Sequence, residues 1–144
     1  MENERSKKMK DQNCIFCKIA NGEIPAATIY EDEDFRAILD LGPATRGHAL
    51  ILPKEHYTNL YELDDEVASK IMVVAKKLVK KMTETLGCEG FNLLQNNGEI
   101  AGQTVFHYHL HLIPRYLDDN FNISWKSGEL TEEEKADIIA RVTG

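Results

Sequence analysis

The chain has 144 residues, 42% hydrophobic and 28% charged, which suits one globular domain with a real core. Its net charge of −7 argues against a general grip on nucleic acid, which needs a basic footprint, but leaves room for a small anion in a local pocket. No apolar run approaches a membrane span and the start lacks the apolar stretch of a signal peptide, so a cytoplasmic protein with no membrane partner is expected.

Residues 1–12 are charged and nearly free of apolar side chains, so a disordered tail is expected there and a single domain over 13–144. "ATIYEDEDFRAILD" places two β-like runs around an acidic turn, Glu31 to Asp34, and predicts a hairpin. "HALILP" predicts a third strand, stopped by Pro53. Val67, Ile71, Val74, Leu78 and Met82 recur at three- and four-residue spacing and form one stripe of a long helix. Asp64, Asp65 and Glu66 suit its positive end, and Gly87 suits its exit. "FNLLQ" predicts a fourth strand, and the stretch from Gly102 to Arg115 a fifth. Thr131 and Glu134 form a capping-box pattern before a short helix. Short links between strands, with helices outside, give an α+β class: an antiparallel five-stranded sheet with one long helix and short flanking helices.

The stretch "GQTVFHYHLHLIPR" holds three of the five histidines at alternate positions. On a strand, His107, His109 and His111 share one face, and Phe106, Tyr108, Leu110 and Leu112 share the other, against the core. A metal held by all three is ruled out by reach: positions four apart on a strand are roughly 13 Å apart, against zinc–nitrogen bonds of about 2.0–2.1 Å. Three structural histidines would leave six ring nitrogens needing partners. Neutral imidazole is instead a good nucleophile and a good leaving group, and a neighbouring imidazole can hold an anion. Attack on phosphorus fits that set. The preceding "NNGEIAGQT" carries Gly98 and Gly102 beside amide and hydroxyl side chains, and glycine lets main-chain N–H groups approach a phosphate closely. Asp40, before Gly42-Pro43, reads either as a turn residue or as an acceptor for paired hydroxyls. Cys14-Ile-Phe-Cys17 reads as a redox dithiol, half a zinc site or two core thiols, and spacing alone does not choose among them.

His107-Tyr-His109-Leu-His111-Leu-Ile resembles the signature of the histidine-triad family of nucleotide hydrolases and transferases. The likeness runs from about Cys14 to Arg115 and includes "IPA" and "GHALILPKEH". It implies that His109 attacks the α-phosphate of a purine nucleotide conjugate and forms a nucleotidyl-histidine that water hydrolyses. It further implies that His111 contacts the phosphate, that the His107 carbonyl fixes the His109 tautomer, and that His48 lies nearby. Gln103, Thr104 and Asn96 match positions that hold phosphate oxygens or assist the leaving group. Asp40 matches the residue that holds the ribose, and Phe16, Ile24 and Leu41 match the base pocket. A zinc-containing branch of the family implies one structural zinc per chain, held by Cys14, Cys17, His56 and His107, and leaves Cys88 to packing. The resemblance also implies a homodimer acting as a nucleoside phosphoramidate hydrolase. Alternatives are dinucleoside polyphosphate cleavage or a nucleotide-binding sensor with little turnover.

Overall fold

Asp32 makes the first turn of the sheet. Its Oδ1 accepts from the main-chain N–H of Asp34 and of Phe35, each at 2.8 Å, and so closes the hairpin between β1 (Thr28–Glu31) and β2 (Phe35–Leu39). The structure is a computed structural model that describes residues 11–144, so the expectation of a tail over residues 1–12 lies, except for Asp11 and Gln12, outside the described residues. Three further strands follow: β3 (Ala49–Pro53), β4 (Gly90–Leu94) and β5 (Leu110–Arg115). All neighbours are antiparallel, in the order β1-β2-β3-β5-β4. Helix α1 (Ile15–Ala20) precedes the sheet, the long α2 (Asp65–Leu86) links β3 to β4, and α3 (Glu132–Thr143) follows β5.

The apolar stripe read from the sequence is the buried face of α2. Ile71, Val74, Leu78 and Met82 are buried with Ala75, and Val67 packs at the margin. Asp64 caps the start by accepting from the Val67 N–H at 3.4 Å, and Gly87 ends the helix in the left-handed region at φ 70°. Strand alternation then divides the sheet. Phe35, Ala37, Ala49, Ile51, Leu110 and Leu112 face α2, whereas Ile38, Leu50 and Leu52 face α1 with Ala20, Phe16 and Ile19. Gly47 permits the turn into β3: its φ is 89°, and a Cβ there would lie 2.7 Å from Leu86 Cδ1.

The histidine stretch departs from a single straight strand. Pairing with β3 and β4 begins only at Leu110, so His111 alone of the three is on a strand. The Tyr108 N–H is taken by the Tyr57 carbonyl at 2.6 Å, outside any strand ladder, and the residues around it bend. Tyr108, Leu110 and Leu112 pack in the core as expected, but Phe106 lies within the bend and is 44% exposed. Among the described residues, no helix is long and apolar enough to cross a membrane.

Candidate active site

His111 lies on β5 between Leu50 of β3 and Leu94 of β4. Alternation places Asp40 (after Ile38), His48 (before Leu50) and His111 on the α1 face, at one end of three adjoining strands. The ladder continues past β2 here, because the Asp40 N–H donates to the His48 carbonyl at 2.9 Å. His109 reaches the same face from the bend, with its ring 5.0 Å from that of His111 at 63°.

Main-chain partners fix the proton on His48 and His109, and His48 fixes it on His111. The Ala44 N–H donates to His48 Nδ1 at 2.9 Å. An amide nitrogen can only donate, so neutral His48 carries its proton on Nε2. That nitrogen is 2.9 Å from His111 Nδ1, which must therefore accept. His111 in turn presents an N–H at Nε2. His109 is set the opposite way. Its Nδ1 is 2.7 Å from the His107 carbonyl oxygen, which can only accept, so Nδ1 holds the proton and Nε2 keeps its lone pair. A lone pair thus stands beside an N–H donor.

Burial keeps these rings neutral near pH 7. It lowers the pKa of His48 against the opposing pull of Asp40, lowers that of His109, and brings His111 to about 4, with His109 and His48 adding to the effect. Asp40, His48 and His111 also place ligand-type atoms within 4.8 Å of one another. The Ala44 N–H nevertheless keeps a proton on the His48 nitrogen that faces His111, so the trio is a hydrogen-bond relay rather than a ligand set.

The other expected residues divide between the pocket and its frame. Asp40 serves the turn: its Oδ1 accepts from the Gly42 N–H at 2.8 Å, and its Oδ2 is 3.6 Å from His48 Nε2. Phe16 stands edge-on to His109 at 5.0 Å and 85°, so it walls the histidine. Leu41 is 99% exposed and Ile24 is half-buried. Thr104 is exposed beside a buried Gln103. The Gln103 side chain is engaged by main-chain groups of its own loop and of Thr58. Its Oε1 accepts from the Gly98 N–H at 2.8 Å, and its Nε2 donates to Thr58 O at 2.7 Å and Val105 O at 3.2 Å. Both amide hydrogens are engaged in this structure, so the side chain braces the loop. Asn96 braces the same loop by donating to the Gly102 carbonyl at 3.4 Å.

Cys14, Cys17, His56 and His107 form a second cluster, with ligand atoms within 4.8 Å of one another. Cys17 Sγ lies 3.3 Å from His56 Nδ1, and Cys14 and Cys17 Sγ each lie 3.4 Å from His107 Nδ1. Bonds of about 2.05 and 2.3 Å at a tetrahedral angle put sulfur and nitrogen ligands roughly 3.5 Å apart, so the four donors can hold a metal. The surroundings suit thiolates. Cys17 Sγ accepts from the Asp11 N–H at 3.4 Å, and Cys14 Sγ accepts from the Cys17 N–H at 3.3 Å. His107 is fully buried, and its Nε2 lies 2.8 Å from the Pro53 carbonyl; that oxygen takes the proton-bearing nitrogen and leaves Nδ1 for a metal. Burial holds the His107 pKa at about 4 and, with the neighbouring Cys14 adding to the effect, pushes the Cys17 thiol up to about 12. Among the described residues Cys88 is buried and free, next to the end of α2.

The family model of the HIT domain matches residues 21–118. The chain belongs to the HIT domain family. It is 48% identical over 117 residues to "Protein hit" of Bacillus subtilis, covering 81% of each chain. It is 43% identical over 123 residues to adenosine 5'-monophosphoramidase hnt1 of Schizosaccharomyces pombe, covering 85% of this chain and 90% of that one. Among solved structures, it matches a HIT family protein from Bacillus anthracis with TM-score 0.86 and 47% identity, covering 92% of this chain and 96% of the other. A zinc-bound histidine triad family protein from Mycobacterium smegmatis matches with TM-score 0.72 and 37% identity, covering 91% and 96%. The five-stranded sheet and its helices are those of the HIT fold.

Sequence reading missed the main-chain groups that set the HIT site. The Ala44 N–H and the carbonyls of Pro53 and Tyr57 act through atoms that every residue type carries, so side-chain identity held no signal for them. The turn prediction at Gly42-Pro43 was the nearest hint, since Ala44 belongs to that turn.

Proposed function

We propose that the chain is a nucleotide hydrolase of the phosphoramidase type. The reading rests above all on one feature: the unprotonated Nε2 of His109 beside the Nε2–H of His111. The His109 lone pair forms a bond to the α-phosphorus of a purine nucleoside phosphoramidate as the bond from phosphorus to the amine breaks. The departing amine takes up a proton from solvent as the bond breaks, on the open side near Thr104. The His109 ring gains positive charge in this step, and the His107 carbonyl, 2.7 Å from its Nδ1–H, supports that charge. The His111 N–H supports a phosphate oxygen. Water then attacks phosphorus, gives up a proton to solvent as the bond to Nε2 breaks, and so releases the nucleoside monophosphate and returns neutral His109. Asp40 receives the ribose hydroxyls, and Phe16, Ile24 and Leu41 receive the base. The relative named as an adenosine 5'-monophosphoramidase supports this class of substrate. The test is a comparison of kcat/KM for adenosine phosphoramidate and diadenosine polyphosphates. The phosphoramidate should be preferred by at least about a hundredfold, a difference of roughly 2.7 kcal/mol in barrier. Preference for polyphosphates would favour cleavage of those compounds, and tight binding without turnover would favour a sensor.

The cysteine–histidine cluster would hold one zinc per chain through Cys14, Cys17, His56 and His107. A four-ligand shell leaves no open position, so the zinc would tie the start of the chain to the histidine segment rather than take part in the reaction. The zinc-bound relative from Mycobacterium smegmatis supports the choice of metal.

The active form would be a homodimer. Strand β4 sits at a sheet edge with Leu93 40% exposed, and Met72 of α2 is 54% exposed. Pairing two β4 edges and packing the long helices across a two-fold axis would cover both. Light scattering should give a mass near twice 16.4 kDa, and a monomer at micromolar concentration would overturn this.

A further inference from the structure

Cys14 and Cys17 have a chemistry of their own besides holding a metal. Cys14 is the N-cap of α1 and Cys17 stands one turn on, so their side chains meet at the same end of the helix. The two sulfurs lie within 4.8 Å of each other, and the Cys17 N–H already rests on Cys14 Sγ at 3.3 Å. A disulfide sets its sulfurs about 2.05 Å apart, so side-chain rotation with a shift of less than about 3 Å closes the bond. Access differs between the two. Cys14 is half-buried beside Ile15, which is 53% exposed, whereas Cys17 is buried. An outer thiol with a buried thiol one turn behind it is the arrangement of a reactive cysteine and its resolving partner. Cys88 is buried outside this cluster, with its Sγ 3.9 Å from the Met82 carbonyl oxygen.

The position of the pair makes its oxidation consequential. Phe16 lies between the two cysteines in sequence, and its ring stands edge-on to His109 at 5.0 Å and to His107 at 6.2 Å. One turn of chain thus carries two sulfur donors and one wall of the nucleophile. His107 Nδ1 is 3.4 Å from both sulfurs, and the His107 carbonyl holds the His109 Nδ1–H at 2.7 Å. Drawing the sulfurs onto each other takes both from His107 and re-aims Phe16.

We propose that Cys14 and Cys17 are a peroxide-sensitive pair, whose oxidation to a disulfide empties the cysteine–histidine cluster and slows the reaction at His109. The Cys14 thiolate attacks one oxygen of hydrogen peroxide as the O–O bond breaks, which leaves a sulfenic acid and a hydroxide that solvent protonates. The Cys17 thiolate then attacks the Cys14 sulfur, forms the S–S bond and expels a second hydroxide, protonated in the same way. Each cysteine sulfur gives up one electron overall, and the peroxide is reduced to two waters. Disulfide sulfurs carry no thiolate charge, and the imidazoles of His56 and His107 alone make half a tetrahedral shell. The dithiol and zinc readings of Cys14-Ile-Phe-Cys17 are then two states of one site. This inference rests on the zinc reading above, and on the hydrolase reading only for its kinetic part.

The test treats full-length, zinc-loaded protein with hydrogen peroxide. A chromophoric chelator follows zinc release against an untreated control, and alkylated samples are mapped by peptide mass spectrometry. Zinc should leave in step with a Cys14–Cys17 link, Cys88 should remain a thiol, and kcat should fall at least about tenfold. Dithiothreitol followed by zinc should restore both metal content and kcat, and Cys88→Ala should respond as the unaltered chain does. Thiols that stay reduced with zinc retained, a link through Cys88, or sulfinic acids that dithiothreitol does not reverse would overturn the proposal. So would a Cys14–Cys17 disulfide that leaves kcat unchanged. Protein holding no zinc before treatment would fail the zinc reading and take this proposal with it. Protein with no turnover before treatment would fail the hydrolase reading alone, and the zinc and disulfide measurements would still decide whether the pair oxidises and empties the cluster.

Discussion

Replacing His109 by alanine is expected to lower turnover by roughly four orders of magnitude or more, the usual size of the loss of a covalent nucleophile. Nucleotide binding should survive within about tenfold, since Asp40, the relay through His48 and the braced loop all remain. The expectation follows from the proton positions. The His109 Nδ1–H is held by the His107 carbonyl at 2.7 Å, so Nε2 is the nitrogen able to attack. A fast-leaving substrate, quenched rapidly, should add the mass of one nucleoside monophosphate to the segment from Val105 to Arg115, and the adduct should be missing in the variant. Two successive displacements should also retain configuration at a chiral phosphorus. Inversion, or near-normal turnover in His109→Ala with loss in His111→Ala, would show that the roles have been exchanged.

Much of the fold was legible because the sequence is locally consistent. The stripe from Val67 to Met82 made α2 plain, and Asp64 and Gly87 marked its ends within a residue. The acidic turn fixed the first hairpin, and Thr131 with Glu134 fixed the start of α3. The histidine segment was legible in role but not in shape. Alternation proposed one face of one strand, yet His107 turns to the cysteines while His109 and His111 face each other. What redirects it is the Tyr108 N–H bond to the Tyr57 carbonyl, a contact across more than fifty residues that no local pattern encodes. Gln103 shows the same limit. A glutamine in a glycine-rich loop reads as a ligand group, and only the positions of Thr58 O, Val105 O and the Gly98 N–H reveal that it also braces the loop.

The metal cluster was legible as chemistry and supplies the second large expected effect. Purified protein prepared without chelator should contain close to one zinc per chain. Stripping it, or making Cys14→Ser, should lower the melting temperature by on the order of 10 °C, because binding energy at such a site is folding energy and the cluster joins Cys14 and Cys17 to His56 and His107 across long stretches of chain. Activity should fall alongside, although no ligand touches the substrate. The nucleophile's tautomer depends on the His107 carbonyl, and His107 is held from one ring nitrogen by the Pro53 carbonyl and from the other by the cluster. Freed from the cluster, the His107 ring can turn, its main chain can follow, and the His109 Nδ1–H loses a fixed acceptor. The reduction should therefore appear mainly in kcat, with KM changed little, and readdition of zinc should restore both activity and melting temperature in the stripped protein but not in Cys14→Ser. Metal analysis showing no zinc would leave Cys14 and Cys17 as plain thiols and remove this link between the start of the chain and the nucleophile. Zinc present, with a lower melting temperature but unchanged kcat after stripping, would keep the metal and reject its hold on His109.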